Sequence, residues 1–180
     1  MLTNKRGFTL IEVIVVAAII AILAGILVPM IFSNVDESKI TRAQGDLKSI
    51  HTALISFRKD TGKWPLTDSA CADNVTLLVT GSAGNEPTGF AAAGFTATLI
   101  SPIDEHLSTN HDNCYTSWKG PYTTGTQLDP WGKNYIINIS AVSDAAKPPV
   151  WIMSGGPNGT IDTAAGNAGV SGDDIGLRLQ

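Results

Sequence analysis

The chain has 180 residues, 43% hydrophobic and 16% charged, with a formal net charge of −4. With residues 1–32 taken up by an apolar segment and its basic flank, the remainder suffices for one modest globular domain. That remainder is rich in Gly, Thr, Ser, Asn and Asp and carries no basic run, which argues against a nucleic-acid-binding surface.

Lys5-Arg6-Gly7-Phe8-Thr9-Leu10-Ile11-Glu12 opens an apolar run that reaches Phe32, and Glu12 is the only charge in residues 8–32. As a helix this segment would extend roughly 37 Å, enough to cross a bilayer with some tilt. A carboxylate at that depth costs about 2.5–3.5 kcal/mol on insertion scales and calls for a partner. The alternative is that Glu12 lies near the cytoplasmic end and snorkels to the headgroups. Lys5 and Arg6 predict a cytoplasmic N-terminus, with the rest across the membrane. A cleavable secretory signal places its small-residue cleavage site after the apolar segment, whereas here Gly7 precedes it.

The string Lys5 to Val13 resembles the type III signal of prepilins and pseudopilins, the subunits of type IV pili and type II secretion pseudopili. The resemblance implies cleavage after Gly7 by a prepilin peptidase, with 1–7 as leader, and N-methylation of the new terminus at Phe8. It also implies that Glu12 meets the α-amino group of a neighbouring subunit and so selects register during filament assembly. An ammonium and a carboxylate attract strongly in a low-dielectric bundle, and each is costly when unpaired. Pro29 removes a backbone donor and predicts a kink or local melting. In the family it marks a segment that unwinds in the filament.

Residues 33–60 continue as an amphipathic helix. Ile40, Ala43, Leu47, Ile50, Leu54 and Phe57 form an apolar seam for packing on a sheet. Ser33 to Glu37 offers capping residues, so a break near Pro29 is expected. Without one, residues 8–60 would form a rod roughly 80 Å long. His51 falls on the polar flank as a solvated or packing residue. Gly62 and Pro65 end the helix.

Residues 61–118 read as a variable loop region with apolar patches only at Val75–Thr80 and Ala97–Ile100. Cys71 and Cys114 lie on the exported side, where an oxidising compartment predicts one disulfide; two reduced, buried thiols are the alternative. The bond would brace a region with little core of its own. His106 and His111 fall in a polar stretch with Asp104, Glu105 and Asp112, and a zinc site there is the weaker reading.

In residues 119–180, Asp129-Pro130-Trp131-Gly132 is a turn leading into a strand at Tyr135–Ile139, with Trp131 as an anchor. Further strands are expected at Val150–Met153 and Ile175–Leu179. Lys119-Gly120-Pro121-Tyr122 and Leu128 to Tyr135 resemble the core of the type II secretion major pseudopilin. Gly-rich backbone with Asn158, Asp162, Asp173 and Asp174 offers the oxygens that calcium takes, although the EF-hand spacing is missing. Composition alone allows turns or calcium equally. The resemblance implies calcium held between loops, with Asp173 and Asp174 matching the later acidic pair and Asp162 as a further carboxylate. Gly155 could donate a carbonyl, and Asn158 stands where the family usually has Asp.

The expected fold is α+β and pilin-like: a long N-terminal helix packed on a small C-terminal antiparallel sheet. The expected function is a structural, non-enzymatic subunit of a type II secretion pseudopilus. Its partners would be other copies in a homopolymeric filament, prepilin peptidase, minor pseudopilins, the inner-membrane assembly platform, and the inner membrane itself before assembly. The rivals are a type IV pilin for adhesion, motility or DNA uptake, and a membrane-tethered binding domain that never polymerises. No nucleophile–base pair, metal triad or phosphate loop suggests an enzyme.

Overall fold

The computed structural model describes residues 7–179; residues 1–6, with Lys5 and Arg6, lie outside the described residues. The chain divides into two compact units, Met1–Ser38 and Lys39–Gln180, and helix α1 (Leu10–Thr61) contributes to both. In the first unit the described apolar side chains are exposed, from Phe8 at 86% to Phe32 at 66%. A face this apolar is stable against lipid or other helices rather than against water.

The expected break near Pro29 is corrected: α1 runs through position 29 as one helix. A proline at position 29 removes the bond to the Gly25 carbonyl, yet the turns on both sides remain helical. Ser33, expected as a cap, instead lies inside the helix and donates its hydroxyl to the Met30 carbonyl at 2.9 Å. At the other end, Gly62 adopts φ +71° and its N–H meets the Arg58 carbonyl, the glycine stop expected there. Arg58 lies over the Trp64 ring, 4.3 Å from its centroid.

In the second unit, the helical residues from Lys39 bury Ala43, Leu47, Ile50, Ala53, Leu54 and Phe57, while Ile40 stays exposed. They face a five-stranded sheet of β1 (Leu77–Val79), β2 (Ile100–Pro102), β3 (Ile136–Ile137), β4 (Trp151–Ser154) and β5 (Ile175–Arg178). The order is β2-β1-β3-β4-β5, with β1 and β2 parallel and every other pair antiparallel. The register aligns Leu78, Ile137, Ile152 and Leu177 across four strands, and the first three of these are fully buried in the cluster that includes the helix seam.

Two expectations about this unit need correction. Residues 61–118, expected as a loop region with little core of its own, supply β1, β2 and a short helix α2 (Ile103–Leu107). They also bury Val75, Leu77, Leu78, Val79, Phe95, Ile103, Leu107 and Tyr115. The sheet is therefore mixed and covered on both faces. Leu77, Val79, Ile136, Trp151 and Met153 form a second core with Phe95 and Ile161, flanked by Phe90, Ala93 and Ala165. Burial on both sides explains why Leu77–Val79 and Trp151–Met153 read as continuous apolar runs without alternation. The strand expected at Tyr135–Ile139 is only two residues long. The Asn138 side chain takes the Trp151 N–H at 2.6 Å and donates to the Pro149 carbonyl, diverting the ladder into a 3₁₀ turn at Ile139–Ser143.

Candidate functional site

At the start of α1, Gly7, Phe8 and Thr9 precede the first helical turn. The Thr9 N–H and hydroxyl donate to Glu12 Oε2 at 2.8 and 2.7 Å, and the Glu12 N–H reaches Thr9 Oγ1 at 3.4 Å. This reciprocal arrangement is a capping box, in which two helix-end donors are satisfied by residues three apart. Glu12 therefore holds its own helix end together. The Thr-x-x-Glu spacing is its sequence signal.

The second candidate site lies where the loop after β4 faces the segment before β5. The turn Asp129 to Lys133 supports it from below. Asp129 is 4% exposed, accepts the N–H groups of Trp131 and Lys133, and takes the Ser154 hydroxyl at 2.6 Å. Ser154 in turn accepts the Gly156 N–H. The sequence identified the turn and its tryptophan, yet Trp131 is half-buried and the buried carboxylate is the group tying turn to loop.

Within the loop pair, Asp174 is 7% exposed; its Oδ2 accepts the N–H groups of Asp162 and Thr163 at 2.9 and 2.6 Å, while its buried Oδ1 has no partner. Burial pushes the Asp174 carboxyl above the usual range. The Asn158 N–H donates to Asp173 Oδ2 at 3.0 Å, and its amide donates to Asp162 Oδ2 at 3.2 Å. Asn158, Asp162, Asp173 and Asp174 are thus brought together. Gly155 packs beneath Gly159 and Thr160, where a Cβ would stand 2.9 Å from their backbone. Gly156 and Gly172 both have positive φ and sit so tightly that a Cβ would strike the Asp173 carbonyl or the Asp162 carboxylate. Among the described residues, no three His, Cys, Asp or Glu side chains converge as a metal-holding group.

Cys71 and Cys114 form a disulfide, as expected for the exported side. The polar stretch expected around His106 is instead a buried network. His106 is fully buried, with Nε2 3.0 Å from Ser101 Oγ and Nδ1 2.9 Å from the Tyr115 hydroxyl, which also accepts from Thr67 at 2.6 Å. Burial, with the His111 ring nearby, holds His106 down to about 3. The Ser101–His106 contact escaped the sequence reading. Its burial, and a tyrosine rather than a carboxylate on the second nitrogen, make it a structural pair.

Comparison with known proteins agrees with both ends of the chain. The family described as "Prokaryotic N-terminal methylation motif" matches residues 2–28. Type II secretion system core protein G of Pseudomonas aeruginosa is 37% identical over 102 residues, covering 56% of this chain and 68% of that protein. The protein of the same name from Pectobacterium carotovorum is 30% identical over 173 residues, covering 96% and 84%. That from Klebsiella pneumoniae is 26% identical over 173 residues, covering 96% and 94%. No solved structure matches the chain. With its N-terminal methylation motif, its helix-on-sheet fold and relatives spanning most of both chains, this protein belongs to the type II secretion system core protein G family, the major pseudopilins.

Proposed function

We propose that this major pseudopilin is the repeating subunit of a pseudopilus, polymerising through its N-terminal helix once prepilin peptidase has cut after Gly7 and Phe8 has been methylated. The observation that carries the reading is the exposed apolar N-terminal half of α1, with Glu12 in its first turn, in a core protein G chain. Before assembly that helix anchors the chain in the inner membrane, with the globular unit in the periplasm. On assembly, neighbouring helices replace lipid, and Glu12 exchanges its capping bonds for the α-amino group of an adjacent copy. An assembly platform and minor pseudopilins complete the partner set. The subunit itself supplies packing surfaces rather than catalysis.

We propose further that the loop pair takes a calcium ion, a reading supported by one orphaned oxygen and not by a convergent acidic group among the described residues. Asp174 offers a buried carboxylate oxygen without a partner, Asp162 and Asp173 lie beside it, and Gly156 and Gly172 allow the two segments to close. Asp162, Asp173 and Asp174 would hold the ion, with backbone carbonyls completing its oxygen shell. Bound calcium would supply positive charge between the loops and offset the burial of Asp174.

The test is mass spectrometry of the processed N-terminus, together with electron cryo-microscopy of sheared filaments with and without chelator. A methylated Phe8 terminus and filaments lost on chelation support the reading. Unprocessed chains, or filaments indifferent to chelation, sink the processing and calcium parts respectively.

A further inference from the structure

We propose that the turn ending at Lys147 of one copy seats in the groove between α1 and β5 of a second copy, its ammonium against Asp173, as a head-to-tail contact between globular units. The inference rests on the filament reading and uses no metal.

The groove has a volume of about 460 Å³; Ile40 and Leu47 of α1 form one side, and Val170, Ile175 and Leu177 the other. Ile40 and Val170 are 36% and 47% exposed, so apolar surface is left in water here. Asp173 and Asp174 line its loop end, and Lys48 is the only cation among its described lining residues, which leaves an excess of negative charge. Asp173 is half-buried; its Oδ2 takes the Asn158 N–H, and Oδ1 is the oxygen offered to an incoming donor. An apolar groove with a carboxylate at one end fits a lysine, whose methylene stem is apolar and whose head is a cation.

Residues 144–147 present such a lysine on an exposed turn. Asp144 closes it, accepting the Ala146 N–H on Oδ1 at 2.8 Å and the Lys147 N–H on its carbonyl at 3.0 Å. Lys147 holds φ +48°, a left-handed backbone that lysine rarely adopts, at a position where the following Pro148 favours an extended one. Strain of this kind is kept where the surrounding chain fixes a residue for a task. Ala145 and Ala146, both exposed, add small apolar surface beside it to meet the groove walls.

The turn precedes β4, and the groove lies at the start of β5. These strands are antiparallel, with Ser154 opposite Ile175 and Trp151 opposite Arg178, so turn and groove stand at opposite ends of the pair. From Trp151 to Ser154 alone is roughly 10 Å, more than a lysine side chain spans, and Lys147 does not reach the groove of its own copy. A knob at one end and its groove at the other make a heterologous contact. Where its rotation does not close a ring, such a contact builds an open helical filament, as a pseudopilus requires.

The experiment uses filaments sheared from cells that express the full chain with its assembly machinery. The chains are wild type, Lys147→Glu, and Lys147→Cys with Asp173→Cys, alone and combined. Treatment with a short bis-maleimide should turn the combined variant into a ladder of dimers, trimers and higher multimers on denaturing gels, and each single variant into nothing beyond a dimer. Cys71 and Cys114 stay silent because they are joined to each other. Lys147→Glu sets a carboxylate against Asp173 and should lower filament yield about tenfold, with the thermal midpoint of the globular unit unchanged in micelles. Wild-type yield from Lys147→Glu, or filaments of the combined cysteine variant that give no ladder, would overturn the contact. Wild-type chains that form no filament would overturn the filament reading, and this inference with it.

Discussion

The two units of this protein meet water in opposite ways. From Phe8 to Ser38 the side chains are exposed, and they are overwhelmingly apolar. From Lys39 onward the same helix alternates a buried seam with charged flanks, and its unit satisfies its apolar surface internally on both faces of a sheet. The first unit is therefore incomplete until lipid or sister helices surround it, whereas the second carries its own core. Damage in one should accordingly leave the other intact.

The largest effect expected from this contrast follows Glu12→Gln. Glutamine still caps Thr9 but removes the charge, so filaments should be absent from sheared fractions while the thermal midpoint of the globular unit is unchanged. Filaments at wild-type yield would mean that the cap, and not the charge, is what assembly uses. Next, Cys71→Ser should destabilise the second unit by about 4 kcal/mol in the chain-entropy model, read by denaturant unfolding in micelles. A loss under 1 kcal/mol would show that the strands of residues 61–118 hold that segment unaided.

Asp129→Ala should cost about 2–3 kcal/mol, because the Ser154 hydroxyl and two backbone N–H groups lose a buried charged acceptor. Under the calcium proposal it should also weaken binding through the displaced loop, as read by calorimetry on the folded variant. The remaining effect is confined to acid pH. Folded His106 stays neutral down to about 3, whereas the unfolded chain protonates near the ordinary value of 6.5, so unfolding takes up a proton between those limits. The His106 contribution is complete above pH 6.5 and is lost as pH falls toward 3. His106→Gln should flatten that part of the stability curve, and a slope unchanged from wild type would assign acid lability to other groups.

Much of this contrast was legible in the residues. Lys5 to Val13, the apolar run, the seam from Ala43 to Phe57, the Gly62 stop and the Asp129–Gly132 turn are local patterns, each governed by neighbours within one or two turns of chain. The pairing of β1 with β2 and β3 was not legible, because strands of two or three residues have too few positions to display a period. The buried states of Asp129, Asp174 and His106 were hidden for a related reason. Polar residues announce turns and surfaces unless a partner far along the chain, such as Ser154 for Asp129 or Tyr115 for His106, removes them from water.

By itself, the sequence determined which stretch must leave water, where the helix caps and stops, and which two cysteines could join. These are matters of composition and short-range spacing. Tertiary structure alone decided that residues 61–118 complete the sheet and cover its far face. It likewise decided that Asn158 turns its amide toward Asp162 and that one oxygen of Asp174 is buried without a partner. Those outcomes depend on which distant segments share the limited space around the sheet, a competition that no local pattern records.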